Sequence, residues 1–102
     1  MERRQHPRHR ARFDTLCSTG RQEGAAVLSN LSYSGAWLEE SNLQPKLGSK
    51  VRLYVFVQPV SPFELVGTVV RKEEDGFSIE FDLQTPEART LVDDVAALVS
   101  TP

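Results

Sequence analysis

The sequence predicts an all-β fold with a C-terminal helix: a small six-stranded antiparallel β-barrel preceded by a flexible arginine-rich arm. Two stretches, 51–57 and 77–83, repeat apolar residues with a period of two, aliphatic ones alternating with Arg52, Tyr54 and Phe56 in the first and apolar with polar ones in the second, as a strand with one buried face requires. After Pro86 the apolar period becomes helical. The 102 residues fit one domain, and a sheet of strands this short would expose its edges unless it closed on itself. The expected organisation is therefore an arm over 1–12, a barrel over 13–84 and a helix over 85–100.

The elements follow in order. Ala11–Gly20 and Gln22–Leu31 read as two strands joined by a turn at Gly20-Arg21, the second carrying Ala25-Ala26-Val27-Leu28. Asn30-Leu31-Ser32-Tyr33-Ser34-Gly35 is a polar turn, and Gly35-Ala36-Trp37-Leu38 a brief apolar strand after it. Pro45–Ser49 is a loop carrying Gly48. Val51, Leu53, Val55 and Val57 then alternate with Arg52, Tyr54 and Phe56, and two prolines end the run within Gln58–Pro62. Phe63–Lys72 is a strand rich in β-branched residues, with Gly67 as the expected bulge or bend. Glu73-Glu74-Asp75-Gly76 reads as a hairpin turn whose Asp-Gly pair tolerates positive φ. Phe77, Ile79, Phe81 and Leu83 alternate with Ser78, Glu80 and Asp82. Thr85 suits a helix N-cap, Pro86 the first helical position and Glu87 the positive end of the dipole. Ala88, Leu91, Val92, Val95, Leu98 and Val99 form a stripe that should pack on the sheet or plug one end of the barrel.

Composition narrows the function. Hydrophobic residues make up 39% and charged residues 25%, which is globular, and no apolar run approaches the ~20 residues of a membrane-spanning helix. The basic N-terminus has no apolar segment behind it, so it does not read as a secretory signal, and a cytoplasmic protein without membrane insertion is expected. Cys17, the single cysteine, has no disulfide partner in the chain and reads as a small apolar strand residue. Neither a metal cluster, a nucleophile–base pair nor a phosphate-binding glycine loop is recognisable, so the sequence does not read as an enzyme and no catalytic cofactor is expected.

Charge is unevenly divided. Residues 1–12 hold five arginines against Glu2 alone, a net +4, so the overall charge of −2 leaves −6 for residues 13–102. A basic arm on an acidic body suits a small anion met at the arm. A nucleic-acid-binding barrel would share the basic arm, but the acidic body and the lack of interleaved aromatic and basic strand residues count against it.

Guanidinium forks grip phosphate in a bidentate way, stack on flat bases and match the O6/N7 edge of guanine. Arg3, Arg4 and Arg8 supply such forks. In the turn, Asn30 offers its amide or carbonyl to a base edge, Ser32 a hydroxyl, and Gly35 a backbone conformation that a β-carbon would block. The pattern Arg-x-x-x-Arg at Arg4 and Arg8, then Asn-x-Ser-x-x-Gly at Asn30, Ser32 and Gly35, then Gly-Phe-Ser-Ile-Glu-Phe and a closing helix resembles the PilZ domain. That family comprises bacterial receptor modules for cyclic di-GMP, and the resemblance covers nearly the whole chain. It implies a site of Arg3, Arg4, Arg8, Asn30, Ser32 and Gly35, and an arm that is mobile when empty and folds over the ligand when bound. The additional Arg3 ahead of the motif implies two cyclic di-GMP molecules per chain. With a single short domain, output is expected through a changed surface offered to a downstream protein, or through dimerisation; monomer and homodimer both fit.

Plainer readings stand beside these. Arg8 and Arg12 form a second Arg-x-x-x-Arg, although Arg12 should already be entering the first strand. An arginine-rich terminus alone reads as a solvated tail, and Asn30–Gly35 alone as a loop. His6 and His9 read as exposed spacers, and Glu73–Asp75 as a solvated turn. Trp37 and Tyr33 could each stack on a base; Trp37, within Gly-Ala-Trp-Leu, is expected in the core instead, while Tyr33 is open between the two. A PilZ-like interaction module that no longer binds nucleotide is the remaining alternative.

Overall fold

A computed structural model describes residues 9–57, 62–82 and 86–99. Six strands are present among them: β1 (His9–Ser18), β2 (Glu23–Leu31), β3 (Gly35–Glu39), β4 (Lys50–Val55), β5 (Phe63–Lys72) and β6 (Phe77–Phe81). They close into a barrel in the order β1-β2-β3-β6-β5-β4, every described neighbour antiparallel. β1 pairs with both β2 and β4, so closure gives every strand two partners.

Alternation places the core. Val51, Leu53 and Val55 of β4, Leu65 and Val69 of β5, and Phe77, Ile79 and Phe81 of β6 point inward with Leu28, Leu31 and Leu38. Cys17 is buried among them, and loss of hydration pushes its thiol up to about 11. Helix α1 (Pro86–Val99) buries Ala88, Leu91, Val92 and Val95. Its main strand contacts are with β1 and β5, which β4 separates, so the helix lies across one end of the barrel. Pro86 does open the helix. Thr85, Leu83 and residues 58–61 lie outside the described residues, as do the side chains of Glu87, Leu98 and Val99. No described helix is long and apolar enough to cross a membrane.

Several local expectations are corrected. β1 begins at His9, so residues 9–12, assigned to the arm, are strand. Gly67 is not a bulge: its register runs on unbroken through Thr68 and Val69, and the extra residue is Val70, between Val69 and Arg71. A β-carbon at Gly67 would lie 2.7 Å from Glu80 O, so the residue is small because β6 passes close by. The Asp75-Gly76 pair does not use positive φ. The turn is closed by the Glu73 N–H donating to Gly76 O at 2.8 Å. Gly76 is instead required by contact, since a β-carbon there would stand 2.4 Å from Leu38 O.

Candidate ligand-binding groove

The polar turn between β2 and β3 is held by its own hydrogen bonds. Ser32 N–H donates to Gly35 O at 2.9 Å, and Ser34 N–H donates to Ser32 Oγ at 3.3 Å. The two serine hydroxyls lie 3.1 Å apart, and Ser32 is only 7% exposed. Such side-chain-to-backbone bonding is how serine stabilises a tight turn. Ser34, exposed and not anticipated, presents the more accessible hydroxyl. Gly35 has no positive φ; its role is close approach, because a β-carbon would stand 2.2 Å from Ile79 O on β6.

This turn borders a groove of about 450 Å³ on the outer surface of β3, β6 and β5. The volume falls within the ~300–1,000 Å³ usual for small-molecule sites. Asn30, Ser32 and Gly35 all line it, together with Trp37, Arg71 and Ser78. Trp37 is therefore not a core residue. Ala36 and Leu38 on either side of it are buried, so strand alternation turns Trp37 outward, where it is partly exposed.

Cross-strand register aligns five outward positions. Arg10 pairs with Asn30, Asn30 with Trp37, Trp37 with Ser78, and Ser78 with Arg71. At about 4.8 Å per strand, the row runs roughly 19 Å across the barrel wall. Bulges shape it: β1 shifts register between Arg10 and Phe13, β2 between Leu28 and Asn30, and β5 between Val69 and Arg71. Bulges of this kind commonly re-aim side chains beside binding sites. The one at Val70 leaves that side chain 53% exposed on the groove rim.

Charge in the groove is mixed. Arg71 Nε lies 3.5 Å from Glu73 Oε2, and Glu80 lines the same wall. One arginine against two glutamates gives the described lining a net negative charge, so an anion seated there needs cations from elsewhere. Among the described residues, no group of three or more His, Cys, Asp or Glu side chains could hold a metal.

Arg3, Arg4, Arg8 and His6 lie outside the described residues. The chain nevertheless enters β1 at His9, which pairs with Leu31, and Arg10 pairs with Asn30. The start of β1 thus lies beside the end of β2, which leads into the polar turn. Arg12 is engaged elsewhere on the barrel, 2.7 Å from Glu40 Oε2 and 3.6 Å from Glu39 Oε2, and the Glu40 hydrogen bond raises its pKa. Tyr33 faces away from the groove toward the helix: its hydroxyl donates to Asp93 Oδ1, and the Arg89 guanidinium lies 4.7 Å from its ring centroid.

A family model described as the PilZ domain matches residues 2–97, spanning the N-terminal arginines, all six strands and most of α1. The chain belongs to the PilZ domain family. Solved PilZ structures share the fold. The PilZ domain of YcgR from Escherichia coli, solved with c-di-GMP, superposes with a TM-score of 0.76 at 17% identity over 96% of this chain and 92% of that one. The PilZ domain of CeSA from a cellulose-synthesizing bacterium gives 0.71 at 13% identity, over 91% and 98%. The Bacillus subtilis inhibitor of motility MotI/DgrA gives 0.72 at 18% identity. All of this chain aligns to it, but spans only 55% of that protein's length. At these identities the likeness establishes the fold. No curated protein sequence is significantly similar to this one.

Sequence reasoning missed Ser34, Ser78 and Arg71 as lining residues, and preferred the core for Trp37 over its alternative as a stacking residue. Strand alternation could have turned Ser78 outward, since Phe77 and Ile79 are apolar. Nothing in the sequence could have aligned Arg71 with it, because that register depends on the bulge at Val70.

Proposed function

We propose that this PilZ domain is a cyclic di-GMP receptor in bacterial second-messenger signalling, acting as an adaptor and not as an enzyme. The observation that carries the proposal is the pairing of His9 and Arg10 with Leu31 and Asn30. It sets the start of β1, into which the arginine-rich arm leads, beside the strand that carries the Asn-x-Ser-x-x-Gly turn and a nucleotide-sized groove, which supports a site shared by arm and turn. The presence of c-di-GMP in the YcgR domain structure supports the choice of ligand.

The groove cannot supply the charge that a cyclic dinucleotide dianion needs, because its described lining is net negative. The arm can. Arg4 and Arg8 each grip a phosphate or the O6/N7 edge of a guanine, and Asn30 reads the other guanine edge. Fixing an arm residue costs roughly 1–2 kcal/mol. A hydrogen bond to a charged group contributes about 1.5–3 kcal/mol, and because the few arginines must also offset the ordering of the arm residues between them, closure needs each fork to bind through two bonds. Arm closure then changes the surface presented to a downstream protein in the cytoplasm.

Arg4 and Arg8 are preferred over the Arg8/Arg12 pair because Arg12 already spends its guanidinium on Glu40 and Glu39. Arg3 supplies the fork for a second ligand molecule, giving two per chain. Calorimetric titration with cyclic di-GMP, with GMP and GTP as controls, tests ligand and stoichiometry together. Saturable micromolar or tighter binding that is lost in Arg4→Ala, Arg8→Ala and Asn30→Ala supports the proposal. Absence of binding, joined to salt-sensitive affinity for single-stranded RNA, would replace it with a nucleic-acid-binding barrel. One ligand per chain would refute the role given to Arg3.

A further inference from the structure

We infer that Trp37 is the platform on which a purine base of the bound nucleotide stacks, an assignment that rests on the receptor reading above. A tryptophan on the outer face of a barrel strand is excluded from the core that strand helps to build. Ala36 and Leu38 point into that core, and Trp37 lines the groove. Its position is fixed from beneath. Indole Cζ2 lies 3.3 Å from where a β-carbon on Gly76 would stand, so the ring rests against the main chain of the β5–β6 turn at a residue that has no side chain. A ring seated in this way is pre-ordered for a ligand and loses little rotamer freedom on binding.

The neighbours of Trp37 complete a base site. Asn30 and Ser78 are its direct cross-strand partners on either side. Strand spacing of about 4.8 Å brings both within reach of the edges of a base lying on the indole. Asn30 carries both a donor and an acceptor, Ser78 a hydroxyl that can serve as either. Arg71, next in the row, stands where a phosphate or second base would follow, and its pairing with Glu73 at 3.5 Å is loose enough to exchange. Trp37 thus selects for a flat, extended ring, and its two neighbours select among such rings.

The sequence has one tryptophan, so emission excited at the red edge, where indole absorbs and the two tyrosines do not, reports this position alone. Base–aromatic stacking corresponds to roughly 5- to 150-fold in affinity per base. Emission and calorimetry should therefore be followed together as cyclic di-GMP is titrated into wild type, and calorimetry repeated on Trp37→Phe and Trp37→Leu. Phenylalanine keeps an aromatic face; leucine fills space without one. The expected results are saturable quenching in wild type with the calorimetric midpoint, at least tenfold weaker binding in Trp37→Leu, and binding within about threefold of wild type in Trp37→Phe. Wild-type binding by calorimetry with unchanged emission would overturn the stacking role and leave the receptor reading intact, whether or not the leucine variant folds. So would Trp37→Leu binding as tightly as wild type. Wild type that binds no cyclic di-GMP would overturn the receptor reading, and the platform with it.

Discussion

Replacing Gly35 by alanine should destabilise the barrel itself, for a reason independent of any ligand. The new β-carbon would stand 2.2 Å from Ile79 O, 3.2 Å from Ile79 C and 3.3 Å from Glu80 Cα. All three are main-chain atoms, so no side chain can rotate out of the way. Relief requires β3 to retreat from β6 by about 1 Å at Gly35↔Glu80 and Ala36↔Ile79, where the short ladder has only four registered pairs. Two weakened ladder bonds cost about 1 kcal/mol each. Residual overpacking adds about 1–3 kcal/mol. The reduced freedom of alanine in the unfolded chain returns about 0.4–1 kcal/mol. The net loss is therefore about 2–5 kcal/mol, a large share of the ~5–15 kcal/mol that holds a domain folded. In equilibrium urea unfolding, a slope near ~1.5 kcal/mol/M makes this a drop of about 2 M in midpoint with the slope unchanged. A Gly35→Ala protein within about 0.5 kcal/mol of wild type would refute the close-approach argument. Because the same shift would displace the strand carrying Trp37, loss of ligand in this variant would not identify Gly35 as a ligand contact.

Arg12→Ala should leave cyclic di-GMP affinity within about threefold of wild type and change stability little, because its ion pairs are solvent-exposed, whereas Arg4→Ala should abolish binding. Loss of binding in Arg12→Ala with binding retained in Arg4→Ala would instead favour the Arg8/Arg12 pair. Cys17, buried with its thiol raised to about 11, should resist a disulfide reagent at pH 8 in the native protein and react promptly in urea. Rapid native reaction would contradict its burial. Tyr33 has its pKa raised above 10, first by the hydrogen bond to Asp93, so the stabilisation it contributes is complete below pH 10 and is lost as pH rises through the folded value. Thermal unfolding should therefore show wild type losing stability relative to Tyr33→Phe above about pH 10, and parallel alkaline profiles would contradict that bond.

Much of the fold was legible because alternation was long. Val51, Leu53 and Val55, and Phe77, Ile79 and Phe81, each repeat often enough to fix a face, and all six are buried. Trp37 was misplaced because its strand has only five residues, two of its apolar neighbours are inward-facing, and hydrophobicity alone could not say which side it took. The bulge was misplaced because Gly67 is a conspicuous glycine, while the extra residue, Val70, is an ordinary strand former whose displacement depends on register with β6. Gly35 and Gly76 were visible as required glycines, but the requirement comes from carbonyls on other strands and not from their own φ. The Asn30–Gly35 turn was legible as a unit. Its partners Trp37, Ser78 and Arg71 were not, because a row across strands exists only once the barrel has closed.

The central claim is that the arm and the Arg10–Asn30–Trp37–Ser78–Arg71 row hold the ligand together. Amide chemical-shift mapping of isotope-labelled protein titrated with cyclic di-GMP tests it most directly. The account predicts that the largest shifts fall on residues 3–10, 30–37 and 70–80, with little change at Leu16 and Tyr54, a cross-strand pair of β1 and β4 on the opposite wall. Shifts centred on that opposite wall, or confined to the arm without Asn30, Trp37 and Ser78, would contradict it.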